Sequence, residues 1–242
     1  MSTTKSPQSI IMLNSKCKIC RRLGVKLFLK GEKCLSPKCP MVRKAYPPGQ
    51  KRKRRPTPLS EYGKELRESQ KLKNWYNLNK RQFKNYVKGV LAKRGKVEDT
   101  AQLLIKILET RLDNVIFRLG LASSRAQAKQ LVSHGLFLVN GKSIDTPSYQ
   151  VKKGDIISVK PQKIKKANFQ NLQNLLKKYK PPSWLELKAE KPSTRAKLGA
   201  GLVPHRNEVS GAGLEGKVIG EPSLEEAAPP VEISTIFEYY SR

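Results

Sequence analysis

The sequence predicts an α+β protein with three parts: a cysteine-rich N-terminal module, an all-helical domain, and an inserted module of helices with a small antiparallel β-sheet. Three observations support this class. All four cysteines lie between Cys17 and Cys39. Apolar residues recur at helical spacing in segments between residues 60 and 133. Two short apolar runs then flank Asn140-Gly141, a dipeptide favoured by type I′ hairpins.

The charge of the chain predicts a polyanionic partner. The 242 residues include 49 lysines and arginines against 19 acids, a formal net charge of +30. Self-repulsion of that size destabilises a compact protein unless a partner neutralises it, so we expect nucleic acid. No apolar run is long enough for a membrane span or a secretory signal. We therefore expect a soluble, cytoplasmic protein without a membrane or small-molecule partner.

The cysteines form two close pairs, with the pattern C-x2-C-x13-C-x4-C. This spacing suits four thiolates, Cys17, Cys20, Cys34 and Cys39, around one structural Zn²⁺ ion. Two nested disulfides are the alternative, which a reducing cytosol disfavours. Neighbouring cations are expected to lower the thiol pKa values. Between the pairs, "VKLFLKG" alternates like a short strand.

Proline and helix signals organise the next hundred residues. The segment "YPPGQKRKRRPTP" combines four prolines with five consecutive basic residues, which predicts an extended basic arm; a solvated linker is the alternative reading. Ser60 is a predicted N-cap for one helix. The stretch "NKRQFKNYVKGVLAKRG" predicts an amphipathic helix with a strongly basic outer face.

The third part begins with a capped helix. Ser124 and Gln127 form a predicted capping pair, Gly135 ends the helix, and the hairpin and the strand "IISV" follow. Taken alone, this arrangement of helix, hairpin and strand is common and does not predict a function.

The order of motifs within residues 111–159, "RLDNVIFRLG", "SRAQAKQLVSHG" and "VNGK", resembles the RNA-binding module named after small-subunit ribosomal protein four. With "CRRLGVKLFLKGEKCLSPKC", "YPPGQ", "LSEYGKELRESQKLKNWYNL", "PPSWLEL" and "EYYSR", the chain resembles the bacterial ribosomal protein four family in its four-cysteine, zinc-binding form. The resemblance implies a structural constituent of the small ribosomal subunit that binds its rRNA early, at a multi-helix junction of the five-prime domain, and nucleates assembly. It also implies a place where mRNA enters, contact with ribosomal protein five of the small subunit, and an effect on decoding accuracy.

The resemblance and the basic segments together give a set of expected RNA-binding residues. In the N-terminal part these are Arg21, Arg22, Gln50, Lys51, Arg52, Lys53, Arg54 and Arg55. In the helical domain they are Tyr62, Lys64, Arg67, Gln70, Lys71, Arg81 and Lys84. In the third part they are Arg111, Asn114, Arg118, Ser124, Arg125, Gln127, Lys129, Gln130 and Lys142. Arginine and lysine would pair with phosphates, and the polar side chains with phosphate and sugar oxygens.

The expected domains follow the same motifs. They are an N-terminal extension (1–15), the zinc module with its basic arm (16–58), a helical domain (59–101), the RNA-binding domain (102–191), a flexible insertion (192–230) and a tail that packs back on the helical domain (231–242). A contact between the insertion and a neighbouring ribosomal protein is the alternative to a flexible loop. No catalytic constellation is present in the sequence, so we expect no enzyme. A free RNA-binding translational regulator remains the alternative function.

Overall fold

The computed structural model describes residues 16–50, 58–93, 99–160, 176, 179–189 and 214–241. The chain divides into two compact units. The first unit comprises residues 1–101 and 229–242, and the second, here called the inserted unit, comprises residues 102–228. None of the helices in these described ranges is both long enough and apolar enough to cross a bilayer.

The described part of the chain contains both helices and strands, and each type is numbered in chain order. The helices are α1 (Lys16–Leu23), α2 (Glu32–Leu35), α3 (Pro40–Arg43), α4 (Glu61–Trp75), α5 (Lys80–Leu91), α6 (Thr100–Glu109), α7 (Leu112–Arg118), α8 (Arg125–Ser133), α9 (Leu224–Ala227) and α10 (Ile233–Ser241). The strands are β1 (Phe137–Val139), β2 (Lys142–Ser143), β3 (Ile156–Val159), β4 (Leu185–Ala189) and β5 (Leu214–Val218). This mixture of helices and one small antiparallel sheet confirms the α+β class.

The first unit begins with the cysteine module, residues 16–50, in which three short helices surround a very small core. Cys20, Leu23 and Leu27 are its buried members. Partly buried side chains complete it: Ile19, Val25, Leu29, Met41 and Trp75. Such a core removes little apolar surface from water, so the module depends on other interactions for its shape.

The strand predicted for "VKLFLKG" is wrong. Residues 25–31 form the loop between α1 and α2, and the first cysteine pair lies on α1. Gly24, Phe28 and Gly31 have φ angles of 71°, 52° and 59°, in the left-handed region, which interrupts an extended backbone. Alternating burial is present, with Leu27 buried and Phe28 exposed, but turns produce it rather than a pleated strand.

The helical part of the first unit contains α4, α5 and α10. The Ser60 hydroxyl accepts a hydrogen bond from the Gly63 amide at 3.3 Å, which confirms the predicted N-cap of α4. Helix α10 packs against both α4 and α5. The Tyr240 ring of α10 lies edge-on to the Phe83 ring of α5, with centroids 6.0 Å apart. The Tyr240 hydroxyl accepts a hydrogen bond from the Ser69 hydroxyl of α4. The C-terminal tail is thus part of the core of this unit.

The inserted unit packs helices against a five-stranded antiparallel sheet with the order β2-β1-β3-β5-β4. Asn140 and Gly141 have φ angles of 50° and 76°, so the predicted type I′ hairpin between β1 and β2 is confirmed. The core is much larger than that of the cysteine module. Its fully buried members include Leu112, Ile116, Leu119, Val132, Phe137 and Ile157.

The expected flexible insertion, 192–230, needs a correction. Residues 190–213 lie outside the described residues, but β5 pairs with both β3 and β4. Gly216 of β5 permits this: a Cβ there would lie 2.5 Å from a methyl carbon of buried Leu119. After β5, Ser223 caps α9 through its side chain. Within 214–230, Gly216 thus provides a close approach of β5 to Leu119 at the end of α7, whereas the loop predicted for 192–213 lies outside the described residues.

Candidate nucleic-acid interface

The cysteine module presents a dense set of cations. Residues 16–50 contain ten lysines and arginines and a single acid, Glu32. Arg22 and Gln50 are exposed, as expected for RNA contacts. Arg21 is more constrained, because its Nε donates to the Tyr46 carbonyl at 2.9 Å and its guanidinium lies 4.9 Å from the Tyr46 ring centroid. The arm residues Lys51, Arg52, Lys53, Arg54 and Arg55 lie outside the described residues.

The four cysteines line one small pocket, together with Lys16, Lys26 and Lys30. They are free thiols, so the nested disulfides are not formed. The Lys30 amide donates to Cys34 Sγ at 3.3 Å, the kind of bond that stabilises a thiolate. Within the described part of the chain, no three acidic, histidine or cysteine side chains are arranged as a metal site. The zinc prediction therefore remains a prediction.

The expectation that cations lower the cysteine pKa values is wrong for Cys20. Burial raises the pKa of this thiol, and the nearby cysteines raise it further, while a backbone hydrogen bond from Leu27 opposes the shift. The reason is position: Cys20 lies in the small core, and the loss of hydration there disfavours the charged thiolate.

In the helical part, the expected residues divide by exposure. Lys64, Arg81 and Lys84 are exposed and available to phosphate, while Arg67 and Gln70 are half-buried on α4. Lys71 is paired with Glu68 at 2.5 Å. Tyr62 contacts the tail helix, with its ring centroid 5.5 Å from that of Tyr239. A hydrogen bond between these two hydroxyls is the main cause that raises the pKa of Tyr239 to about 12.

The inserted unit uses several of its expected RNA-binding residues internally. Arg111 is only 1% exposed and donates to both carboxylate oxygens of Asp113, at 3.1 and 2.7 Å. A buried bidentate pair of this kind is strongly held, because separating it would leave an uncompensated charge in the core. Arg111 is therefore engaged inside this unit, and its contact with RNA stays a prediction.

A second buried acid, Glu109, holds three more of these residues. Asn114 Nδ2 donates to its Oε2 at 2.6 Å, and Arg118 donates to both of its oxygens at 2.9 Å. Arg125 joins the group through a 2.8 Å bond from its Nε to Asn114 Oδ1, and its guanidinium lies over the Phe117 ring. Asn114 is buried and the two arginine side chains are largely covered, and their direct contact with RNA, like that of Arg111, stays a prediction.

The start of α8 is also used structurally. Ser124 is buried and accepts the Gln127 amide at 3.3 Å, while the Gln127 side chain accepts from the Ser123 amide at 2.8 Å. The predicted capping pair is confirmed, and both side chains already make hydrogen bonds to backbone amides.

Three other expected RNA-binding residues of this unit remain accessible. Gln130 and Lys142 are exposed and Lys129 is half-buried, so these remain candidates for RNA contact. Sequence reasoning missed the organising role of Glu109, whose only signal was an acid between an apolar run and "TRLDN".

The exposed cations of the described residues include Arg22, Lys64, Arg81, Lys84 and Lys142. Such a surface is typical of a polyanion-binding protein. Family models agree: "Ribosomal protein S4/S9 N-terminal domain" matches residues 12–109 and "S4 domain" matches residues 110–157.

Relatives extend the match to nearly the whole chain. A small ribosomal subunit protein uS4 from Thermus thermophilus is 43% identical over 232 residues, covering 93% of this chain and 96% of the relative. That of Natranaerobius thermophilus is 41% identical over 226 residues, with the same coverage. The uS4A protein of Clostridium novyi is 40% identical over 230 residues, covering 95% of this chain and 98% of the relative. The chain belongs to the uS4 family, which confirms the family resemblance found in the sequence.

Proposed function

We propose that this chain is a structural, non-catalytic constituent of the small ribosomal subunit, where it binds rRNA. The observation that carries this is the alignment with proteins named small ribosomal subunit protein uS4 over 93% of the chain. The exposed lysines and arginines supply the chemistry, since these side chains pair with phosphate oxygens. The proposed location is therefore the small subunit of cytoplasmic ribosomes.

We further propose that the chain is a primary binder of rRNA at a multi-helix junction of the five-prime domain and helps to nucleate assembly. Folded RNA is recognised mainly through shape and through phosphate and 2′-hydroxyl contacts. Cations spread over two units can meet phosphates of more than one RNA helix. The family resemblance adds proposed contacts with mRNA where it enters and with ribosomal protein five, and an influence on decoding accuracy.

One structural Zn²⁺ is proposed for the cysteine module. The donor set supports it: four sulfurs line a single pocket, and the Lys30 amide already donates to Cys34. Zinc in such modules contributes folding free energy directly, which suits a module whose own core is so small. Cys17, Cys20, Cys34 and Cys39 would be the ligands.

A free translational regulator is the second candidate. It would use the same cations and the same inserted unit, so the surface chemistry does not separate it from a ribosomal constituent. The two candidate functions differ in where the protein is found. A ribosomal constituent stays bound to the small subunit at high salt, whereas a free regulator is found bound to messenger RNA.

The test combines a defined probe with a cellular readout. Binding of the full chain to Thermus thermophilus small-subunit rRNA is titrated across a salt series, and neutralisation of about ten phosphates predicts a log–log slope of about −7 to −9. A variant with Lys64, Arg81 and Lys84 each changed to Gln should reduce that slope by about two to three. Large-subunit rRNA is the specificity control.

In parallel, lysate of the source cell is sedimented at rising salt and blotted for this protein. Co-migration with the small subunit through high salt supports the ribosomal constituent. A pool that never enters that peak contradicts it and favours the regulator.

A further inference from the structure

Phe28 occupies a conformation that its residue type does not favour. Its φ of 52° lies in the left-handed region, and its side chain is 46% exposed. The same loop has two other left-handed positions, Gly24 and Gly31, and both are glycine. Glycine adopts this conformation freely, whereas a residue with a Cβ is strained there. The backbone therefore does not explain why position 28 carries a large aromatic ring.

The left-handed turn has a clear effect on the side chains around it. Leu27 is 1% exposed and belongs to the small core, while the next side chain points to solvent. Lys26 Nζ lies 5.1 Å from the centroid of the Phe28 ring, over its face. The loop thus displays an aromatic ring with an ammonium group against it, in a module with ten cations and one acid.

We propose that Phe28 stacks on an unpaired RNA base while Lys26 and its basic neighbours meet the adjacent phosphates. This rests on the proposed function, because it takes RNA as the partner. A ring beside cations matches the chemistry of an unstacked nucleotide, which offers a π-face and a negative phosphate together. An apolar protein surface would match the ring but not the surrounding charge. The strain at Phe28 is then explained by a contact outside the chain.

The experiment compares two 12-nucleotide probes with identical ribose-phosphate backbones: oligo(rA) and a strand without bases. Both titrations use the zinc-loaded full chain. Wild-type protein should bind oligo(rA) about five- to 150-fold more tightly than the abasic strand, the range expected for one stacked base. Phe28→Leu should remove most of this excess and leave the affinity for the abasic strand unchanged. Phe28→Tyr should keep the excess.

Two control variants test whether any loss of binding is specific to the Phe28 ring and whether it reflects misfolding. Leu35→Ala changes a 74% exposed apolar side chain of the same module and should leave both affinities unchanged. Phe28→Gly relieves the backbone strain, so it should fold at least as well as the wild type while losing the excess, which protects the test if Phe28→Leu is unstable.

Three results would overturn the proposal. An unchanged preference for bases in both Phe28→Leu and Phe28→Gly would show that the ring does not stack. Equal wild-type binding of the two strands, with rRNA binding intact, would reject stacking and leave the proposed function standing. Loss of incorporation into small subunits by Phe28→Leu, with unchanged RNA affinity, would assign the ring to a protein partner. Failure to bind rRNA at all would instead reject the proposed function itself.

Discussion

The cysteine module and the inserted unit differ in where their basic side chains lie and in how many acids pair with them. In the inserted unit, Arg111 and Arg118 are paired with the buried acids Asp113 and Glu109. The cysteine module contains ten cations and one acid, and its buried side chains are three thiols and two leucines. The inserted unit uses these arginines to organise its core, whereas six of the ten cations of the cysteine module are exposed. The comparison shows that basic character alone does not predict whether a side chain is buried or exposed.

If the cysteine module holds the proposed Zn²⁺, removing that ion should have the largest effect on stability, and the effect should be confined to this module. Zinc binding in small modules is worth on the order of 10–16 kcal/mol of apparent free energy, far more than this core supplies. Cys34→Ser or chelation should abolish protection of the backbone amides of residues 16–50 in hydrogen-exchange mass spectrometry and leave the inserted unit protected. RNA affinity should weaken without disappearing.

Leu35→Ser is the matched control, because it places a serine at an exposed position next to Cys34. It should keep one zinc per chain. Unchanged metal content in Cys34→Ser would refute the proposed ligand set, and equal loss of protection in the inserted unit would remove the distinction between the two regions.

The inserted unit should respond to loss of its buried pair. Arg111→Met leaves the Asp113 carboxylate without its bidentate partner, so the free energy of unfolding of this unit should fall by about 3–5 kcal/mol. Urea denaturation followed by hydrogen exchange in residues 102–160 measures this. Lys153→Met removes an exposed cation of the same unit and should change stability by less than about 0.5 kcal/mol. If Arg111→Met instead weakened RNA binding at unchanged stability, Arg111 would be a contact residue after all.

Glycine-to-alanine substitutions should change stability by a smaller amount, and in opposite directions in the two units. Gly216→Ala should destabilise the inserted unit by about 1–3 kcal/mol, because its methyl group would collide with buried Leu119. Gly89→Ala, in the first unit, meets no atom within 4 Å on α5 and should stabilise by about 0.5–1 kcal/mol. Thermal unfolding of the two variants side by side should give shifts of opposite sign. Shifts of the same sign would mean that Leu119 can move aside.

Local signals in the sequence were sufficient where the structure depends on local chemistry. The Ser60 and Ser124 caps bond to amides three residues ahead, and Asn140-Gly141 supplies the two positive φ angles of the hairpin. Each of these features is decided within a few neighbouring residues, so spacing and residue type are enough to predict them.

Non-local packing decided the rest. The strand partners of β5 lie about 25 to 60 residues away in sequence, and nothing in "GLEGKV" indicates that Leu119 packs over Gly216. The burial of Arg111 and Asn114 could not be read from their residue types, which are those of phosphate-binding groups as well as of a buried network. Only the acids Glu109 and Asp113 distinguish these cases, and they do so through contacts that a linear sequence does not display.

The packing of α10 against α4 and α5 sets an order of events during translation. Helix α10 is synthesised about 140 residues after α5. At 5–20 residues per second, the two earlier helices wait roughly 7–30 s for the segment that covers them. The inserted unit has all of its strands before that moment. The faces of α4 and α5 that α10 covers therefore stay open until the tail has been made, and these faces are where we expect a chaperone to bind during synthesis.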